Sequence, residues 1–139
     1  MKNINICIAG IGNVGSNVLI SLHNNKNILE KTDIKFNIVG ISAQNKTKKR
    51  IIDIQRYNWC DNPLDLLSIP DCDILIELIG QEKGISFDLI KKALENKIHV
   101  ITANKALLAV NNTELFEIAE KNKVLLLFEA AIGGGIPIV

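Results

Sequence analysis

Three glycines, one lysine and a short acid-plus-glycine run are the residues whose types and spacing could do chemistry in this sequence. Gly10, Gly12 and Gly15 stand as G-x-G-x-x-G, directly after an apolar run (Ile4, Ile6, Cys7, Ile8, Ala9) and directly before an amphipathic one (Val14, Val18, Leu19, Leu22). That context, strand before and helix after, is what a phosphate-cradling turn requires. Gly10 permits the tight turn out of the strand. Gly12 lets the backbone approach a pyrophosphate with no Cβ in the way, and Gly15 allows helix and strand to pack closely. The free N–H groups at the start of the helix then face the phosphates of a dinucleotide. A tight strand-to-helix turn with no ligand is the competing reading.

Lys105 is the second candidate. It falls at the start of a helical stretch, where a cation faces the positive end of the helix dipole at a cost of about 0.3–1 kcal/mol. A substrate carboxylate, a cofactor phosphate or a carbonyl gaining negative charge during reduction would offset that, and the last would make Lys105 a catalytic acid or electrophilic group. The alternative is a flexible lysine in water. Glu129 to Pro137 reads EAAIGGGIP. Three consecutive glycines cannot continue regular structure, so backbone carbonyls there are free to turn toward a nicotinamide or a hard cation. Glu129 as an ordinary solvated acid is the competing reading.

Strands alternating with helices must position these groups. Phe36 to Ser42 is apolar and β-branched, as a strand buried on both faces should be. Ile51, Ile52 and Ile54 suggest a short helix, Tyr57 to Cys60 a brief strand, and Pro63 to Leu67 a turn of helix, with Tyr57 and Trp59 as packing aromatics. Asp73 to Ile79 is a strand ending at Gly80. Gly84 to Glu95 is a helix with Ser86 as its N-cap and Phe87, Ile90 and Leu94 inward. Ile98 to Thr102 is a strand, Asn104 to Val110 and Asn112 to Lys121 are two helices with Leu115, Ile118 and Ala119 inward, and Val124 to Phe128 is the last strand. The polar connection from Asn24 to Lys35 extends the first helix by a turn or two. The pattern predicts an α/β, Rossmann-type doubly wound parallel sheet, with residues 1–139 as one dinucleotide-binding domain.

In such a sheet, ligands lie beyond the carboxyl ends of the strands. Gly10 to Gly15, Ser42 to Arg50, Ile79 to Glu82 and Thr102 to Lys105 should therefore converge, with Glu129 onward as a fifth segment. The residues after the second strand decide the cofactor. An NAD site places an Asp or Glu there for the ribose hydroxyls, whereas an NADP site needs cations. Here stand Ser42, Ala43, Gln44, Asn45, Lys46, Thr47, Lys48, Lys49 and Arg50, while Glu30 and Asp33 precede the strand and so fall at the wrong end. NADP is the expected cofactor, with NAD the alternative. Lys46 to Arg50 as a solvated basic loop is the competing view.

Composition narrows the classes. Sixteen Lys and Arg balance fifteen Asp and Glu, so no global field draws the 139-residue chain to nucleic acid or a membrane. Cys7, Cys60 and Cys72 are odd in number and lack C-x-x-C spacing, which argues against a disulfide framework or a zinc site. His23 and His99 are solitary and read as structural. The apolar run after Lys2 is broken by Asn3 and Asn5, and the glycines arrive too early for a cleavable signal, so a cytoplasmic protein is expected.

GIGNVGS (Gly10 to Ser16), ELIG (Glu77 to Gly80), TANKALLA (Thr102 to Ala109) and FEAAIGGGIPIV (Phe128 to Val139), in this order, resemble the N-terminal nucleotide-binding region of homoserine dehydrogenase. The resemblance covers essentially the whole chain. It implies reduction of aspartate 4-semialdehyde to homoserine with NAD(P)H, on the route to threonine, methionine and isoleucine. It also implies cofactor contacts from Gly10, Ile11, Gly12, Asn13, Val14, Gly15, Ile79, Gly80 and Thr102, with Lys105 facing both cofactor and substrate. A monovalent cation, usually sodium, would be held by carbonyls of Glu129, Ile132, Gly134 and Ile136. Close relatives often carry arginine where Gln44 stands, so by this resemblance the 2′-phosphate contact weakens or passes to Lys46, Lys48 or Arg50.

The family's acidic substrate-binding residues and second catalytic lysine come later than Val139, and the apolar ending Ile136 to Val139 reads as a cut in mid-element. The expectation is a fragment that binds cofactor without turning over substrate alone, and that forms a homo-oligomer only with the missing region. Two other readings stand beside it: the cofactor domain of another amino-acid or sugar dehydrogenase, and a non-catalytic dinucleotide sensor or binding module.

Overall fold

The computed structural model describes residues 1–25, 31–81 and 84–132. Its elements in chain order are β1 (Lys2–Ala9), α1 (Asn13–Asn24), β2 (Ile34–Ser42), β3 (Trp59–Cys60), a 3₁₀ turn (Pro63–Ser68), β4 (Ile74–Glu77), α2 (Ile85–Glu95), β5 (His99–Thr102), α3 (Lys105–Asn122), β6 (Leu126–Leu127) and a second 3₁₀ turn (Glu129–Ala131). The strands form a sheet of order β3-β2-β1-β4-β5-β6, and every pairing is parallel. The order runs outward in opposite directions from β1 and β4, so a crevice opens between their carboxyl ends.

Residue alternation along the strands explains why both faces are covered. Cys7 and Ala9 of β1, Leu75 of β4 and Val100 of β5 face one layer with α2, α3 and Leu66 of the first 3₁₀ turn. Ile6 and Ile8, Ile41 and Ile76 face the other, with Leu19, Val18 and Leu22 of α1 and the irregular stretch around Ile52, Ile54 and Tyr57. Two buried faces leave no room for alternating polar residues in the central strands, which is why they read as continuous apolar runs. No described helix is long and apolar enough to cross a membrane.

Four local expectations are corrected. Ile51 to Ile54 form no helix: the Asp53 carboxylate accepts from the Gln55 N–H at 2.9 Å, an Asx turn that competes with helical bonding. α2 is capped by Gly84 at φ +73° rather than by Ser86, which is buried inside the helix with no hydroxyl partner among the described residues. The two expected helices after Asn104 are one, α3. Asn111 bonds back to the Leu107 carbonyl at 3.1 Å, and the buried stripe Leu107, Leu108, Leu115 and Ala119 runs straight past the notional break. Finally, α1 ends at Asn24 with no extension through Asn25, which caps it by donating to the Ser21 carbonyl; residues 26–30, Glu30 included, lie outside the described residues.

Candidate functional site: a dinucleotide groove at the switch point

The turn from β1 into α1 is shaped by what its glycines touch. Gly10 sits at φ +102°, and a Cβ there would lie 2.6 Å from the Leu78 carbonyl oxygen. Its N–H donates to the Ser42 carbonyl at 2.8 Å, and the Leu78 N–H donates to the Ala9 carbonyl at 2.7 Å. A Cβ on Gly15 would strike the Gly10 carbonyl oxygen. Gly12 is different: nothing lies within 4 Å of where its Cβ would be. Two glycines are therefore demanded by the protein's own backbone, while the third faces open space. Gly12 is also the N-cap of α1, which has no side-chain cap and no acidic residue in its first turn. An uncapped helix end beside an open glycine is an anion cradle of the right chemistry for a diphosphate.

A groove of about 330 Å³ leads away from this turn. It is lined by Gly10, Ile11 and Gly12 from the glycine turn, Ser42 to Asn45, Lys48 and Arg50 from the segment after β2, Asp61 and Pro63 from the end of β3, and Leu78, Ile79, Gln81 and Ile85 from the β4 side. Ser42 is buried, and its hydroxyl has no partner among the described residues. Arg50 organises this side. Its Nε donates to the Ile11 carbonyl at 2.9 Å, its Nη1 to Lys48 at 2.9 Å and Lys46 at 3.4 Å, and its Nη2 to the Asn45 carbonyl at 2.7 Å. The guanidinium also lies 5.5 Å from the Trp59 ring centroid, with the Lys46 ammonium 5.8 Å from the same ring. Most of the Arg50 donors are thus spent on the loop, whereas Gln44, Lys46 and Lys48 are exposed. The Trp59 indole N–H donates to the Asp61 carboxylate at 2.7 Å.

The β4–β5 side is held from within. Glu77 is fully buried. One carboxylate oxygen accepts from the Ile79 N–H at 2.9 Å and the Gly80 N–H at 3.3 Å, and the other accepts from the Thr102 hydroxyl at 2.7 Å. That hydroxyl accepts in turn from the Asn104 N–H at 3.0 Å. The Asn104 side chain then caps α3 by accepting from the Leu107 N–H at 3.1 Å and donates to the Gln81 carbonyl at 2.6 Å. Lys105, exposed and first in α3, follows this capped asparagine, with no acidic residue in the helix's first turn.

Gly10, Ile11, Gly12, Gln44 and Ile79 all line the groove. Asn13 and Val14 lie on the exposed side of α1's first turn, and Lys46 lies against Trp59. Thr102 is turned inward with its hydroxyl committed to Glu77 and Asn104. Lys105 and Gly80 are not among the lining residues. Glu129 begins a 3₁₀ turn, and its carbonyl accepts from the Ile132 N–H at 3.1 Å. Gly134 and Ile136 fall outside the described residues. Among the described residues no cluster of three or more His, Cys, Asp or Glu could hold a metal.

Sequence reasoning missed Glu77, Asn104, Asp61 and the loop-stapling role of Arg50. An acid ending an otherwise apolar strand and an asparagine just before a helix were the available signals for the first two. Asp61 carried none, since a carboxylate after a two-residue strand looks like any loop acid.

The family described as "Homoserine dehydrogenase, NAD binding domain" matches residues 10–129. The homoserine dehydrogenase of Neisseria gonorrhoeae is 36% identical over 140 residues, covering 100% of this chain and 32% of the relative. Among solved structures, that of the S. aureus homoserine dehydrogenase at pH 8.5 superposes with a TM-score of 0.89 at 38% identity, covering 97% of this chain and 34% of that one. The Thiobacillus denitrificans homoserine dehydrogenase gives 0.89 at 34% identity, covering 99% and 32%. The chain spans about a third of the length of the curated relatives it matches. With the glycine cradle at the switch point of a 3-2-1-4-5-6 sheet and this likeness over its full length, the chain belongs to the NAD-binding-domain family of homoserine dehydrogenase.

Proposed function

We propose that the groove binds NADP(H) in preference to NAD(H), and that the chain supplies the cofactor half of an enzyme interconverting aspartate 4-semialdehyde and homoserine in the cytoplasm. The observation that carries the reading is the contrast within the glycine turn: Gly10 and Gly15 are pressed against backbone, while Gly12 opens onto free space at an uncapped helix end. Asn13 and Val14 present the first-turn N–H groups to the diphosphate. Gln44, Lys46 and Lys48 face the 2′-phosphate, with Lys48 on the groove wall. When bound, the dinucleotide supplies the hydride. Ile79 and Gly80 lie against its nicotinamide half, and Thr102, buried behind them, supports that wall through Glu77. Lys105 stabilises negative charge on the substrate oxygen and passes it a proton, which relieves the cost of a cation at a helix start. Carbonyls of Glu129, Ile132, Gly134 and Ile136 hold a monovalent cation.

Calorimetry with NADPH and NADH tests the first claim, with tighter binding of NADPH expected and no turnover by this polypeptide alone. No heat from either at millimolar concentration would overturn it. A binding module without catalysis is separated by Lys105→Ala in a chain of the relatives' full length. Severe loss of turnover with modest change in cofactor affinity is expected, whereas equal loss of both would favour the plain binding role.

A further inference from the structure

We propose that Glu77 is a positioning residue for the nicotinamide half of the cofactor, an inference that rests on the groove binding a dinucleotide. A carboxylate with 0% exposure is costly to keep in a fold. Neither ion pair among the described residues involves it, so hydrogen bonds must compensate. An apolar side chain of similar volume would fill the same space with less penalty. What it could not do is hold three donors from two different segments at once.

Those donors come from the segment after β4, where Ile79 lines the groove, and from the end of β5. The Leu78–Ile79 peptide donates its N–H to Glu77, and its carbonyl oxygen lies so close to Gly10 that a Cβ there would come within 2.6 Å of it. Gly80 reaches the same carboxylate oxygen by adopting φ +80°, a conformation glycine takes without strain. Across the sheet, Thr102 is the register partner of Glu77. Through Asn104 the bonds return to the Gln81 carbonyl and so close a ring. This ring joins the wall made by Leu78, Ile79 and Gln81 to the first turn of α3, where Lys105 begins. The glycine turn does not depend on it in the same way, since Gly10 is fixed by its own bond to Ser42 and by the Leu78-to-Ala9 bond. Loss of the ring should therefore loosen the nicotinamide wall and the Lys105 end while the diphosphate cradle persists.

The test compares two ligands on the intact chain: NADPH, and 2′-phospho-ADP-ribose, which lacks only the nicotinamide. Glu77→Gln keeps the shape but replaces an acceptor by a donor facing Thr102. Thr102→Val removes the hydroxyl and keeps the carboxylate. Glu77→Gln disrupts one bond of the ring and Thr102→Val two, and re-forming the loosened wall around the nicotinamide should make each variant bind NADPH about tenfold more weakly. Affinity for 2′-phospho-ADP-ribose should change less than about twofold, and Thr102→Ser should restore NADPH binding because its hydroxyl can make both bonds. Should Glu77→Gln fail to fold, Thr102→Val and its serine rescue carry the comparison. Equal loss of both ligands, or NADPH affinity unchanged in a folded variant, would overturn the proposal. If the unaltered chain binds neither ligand, the dinucleotide reading itself falls, and that result is distinct from a variant that loses both.

Discussion

On the β4–β5 side of the groove, the backbone hangs from a carboxylate sealed in the sheet; on the β2–β3 side it hangs from Arg50, a half-buried guanidinium bonded to three carbonyls of an exposed loop and to the carbonyl of buried Ile11 in the glycine turn. The first arrangement costs desolvation and returns a single geometry. The second is exposed at its three loop bonds, so it costs little and tolerates change there. The division suits the proposed cofactor, because hydride transfer would need a fixed nicotinamide face, whereas telling NADPH from NADH would need only charges near one phosphate. The glycine turn lies between the two and shares both characters, crowded at Gly10 and Gly15 and open at Gly12.

The largest effect should come from filling the crowded places. Gly10→Ala forces a Cβ to within 2.6 Å of the Leu78 carbonyl oxygen at φ +102°. Strain and backbone collision together should cost about 3 kcal/mol or more. A melting-temperature loss of about 10 °C or more follows for a chain of this length. Gly12→Ala should leave melting within about 2 °C, because its Cβ meets nothing, yet should weaken NADPH binding about tenfold by obstructing the diphosphate. Thermal melts and calorimetry on both variants check this. If Gly12→Ala melts early, or binds NADPH as before, the open glycine is not the cradle.

Next in size is the exposed side. Arg50→Ala removes the loop's staple and should cost about 1–2 kcal/mol in denaturant unfolding, since solvent replaces part of each lost bond. Arg50→Lys should not recover it, because a point charge cannot reach carbonyls of Ile11, Asn45 and Lys48 together. Lys48→Ala should leave stability alone and raise the NADPH dissociation constant by about threefold to tenfold, with NADH unaffected and the difference shrinking in high salt. An equal change for both cofactors would show that Lys48 does not face the 2′-phosphate.

The contrast also explains what the sequence made legible. Strands buried on both faces announce themselves, because apolar residues fill them up to their polar carboxyl ends, and the glycine turn does so because packing against Leu78 and the Gly10 carbonyl leaves no choice of residue at Gly10 and Gly15. The boundaries failed where local side chains competed with the helix or strand pattern. Asp53 captured the Gln55 N–H, Gly84 replaced Ser86 as a cap, and Asn111 bonded backward instead of breaking α3. Of the site, the glycine turn could be read from its spacing together with the strand-like run before it and the helix-like run after it. The Glu77 ring could not, because Glu77, Thr102 and Asn104 meet only once β4 and β5 pair in register. Nor could the fate of Arg50, which by composition is one more cation in a basic loop and by geometry is the loop's anchor.

The smallest expected effects lie with the thiols, which separate the groove end of the sheet from its opposite end. Alkylation requires the thiolate, so its rate climbs with pH until the thiol is fully ionised. Cys60 ends β3 beside the groove, and burial together with the Asp65 and Asp61 carboxylates pushes its thiol above the usual value of 9.0. Cys72 precedes β4, and its interaction with the neighbouring Cys7 thiol holds it below that value, while the same interaction and burial push Cys7 up. Iodoacetamide should therefore modify Cys72 first, with a pH profile whose midpoint lies below 9.0, then Cys60, and Cys7 last. NADPH should slow Cys60 by a modest factor and leave Cys72 unchanged, because only Cys60 adjoins a groove-lining residue, Asp61. Mass spectrometry of the labelled peptides reads both. Protection at Cys72 instead would place the cofactor at the wrong end of the sheet, and no amount of agreement at the glycine turn would then save the orientation of the groove.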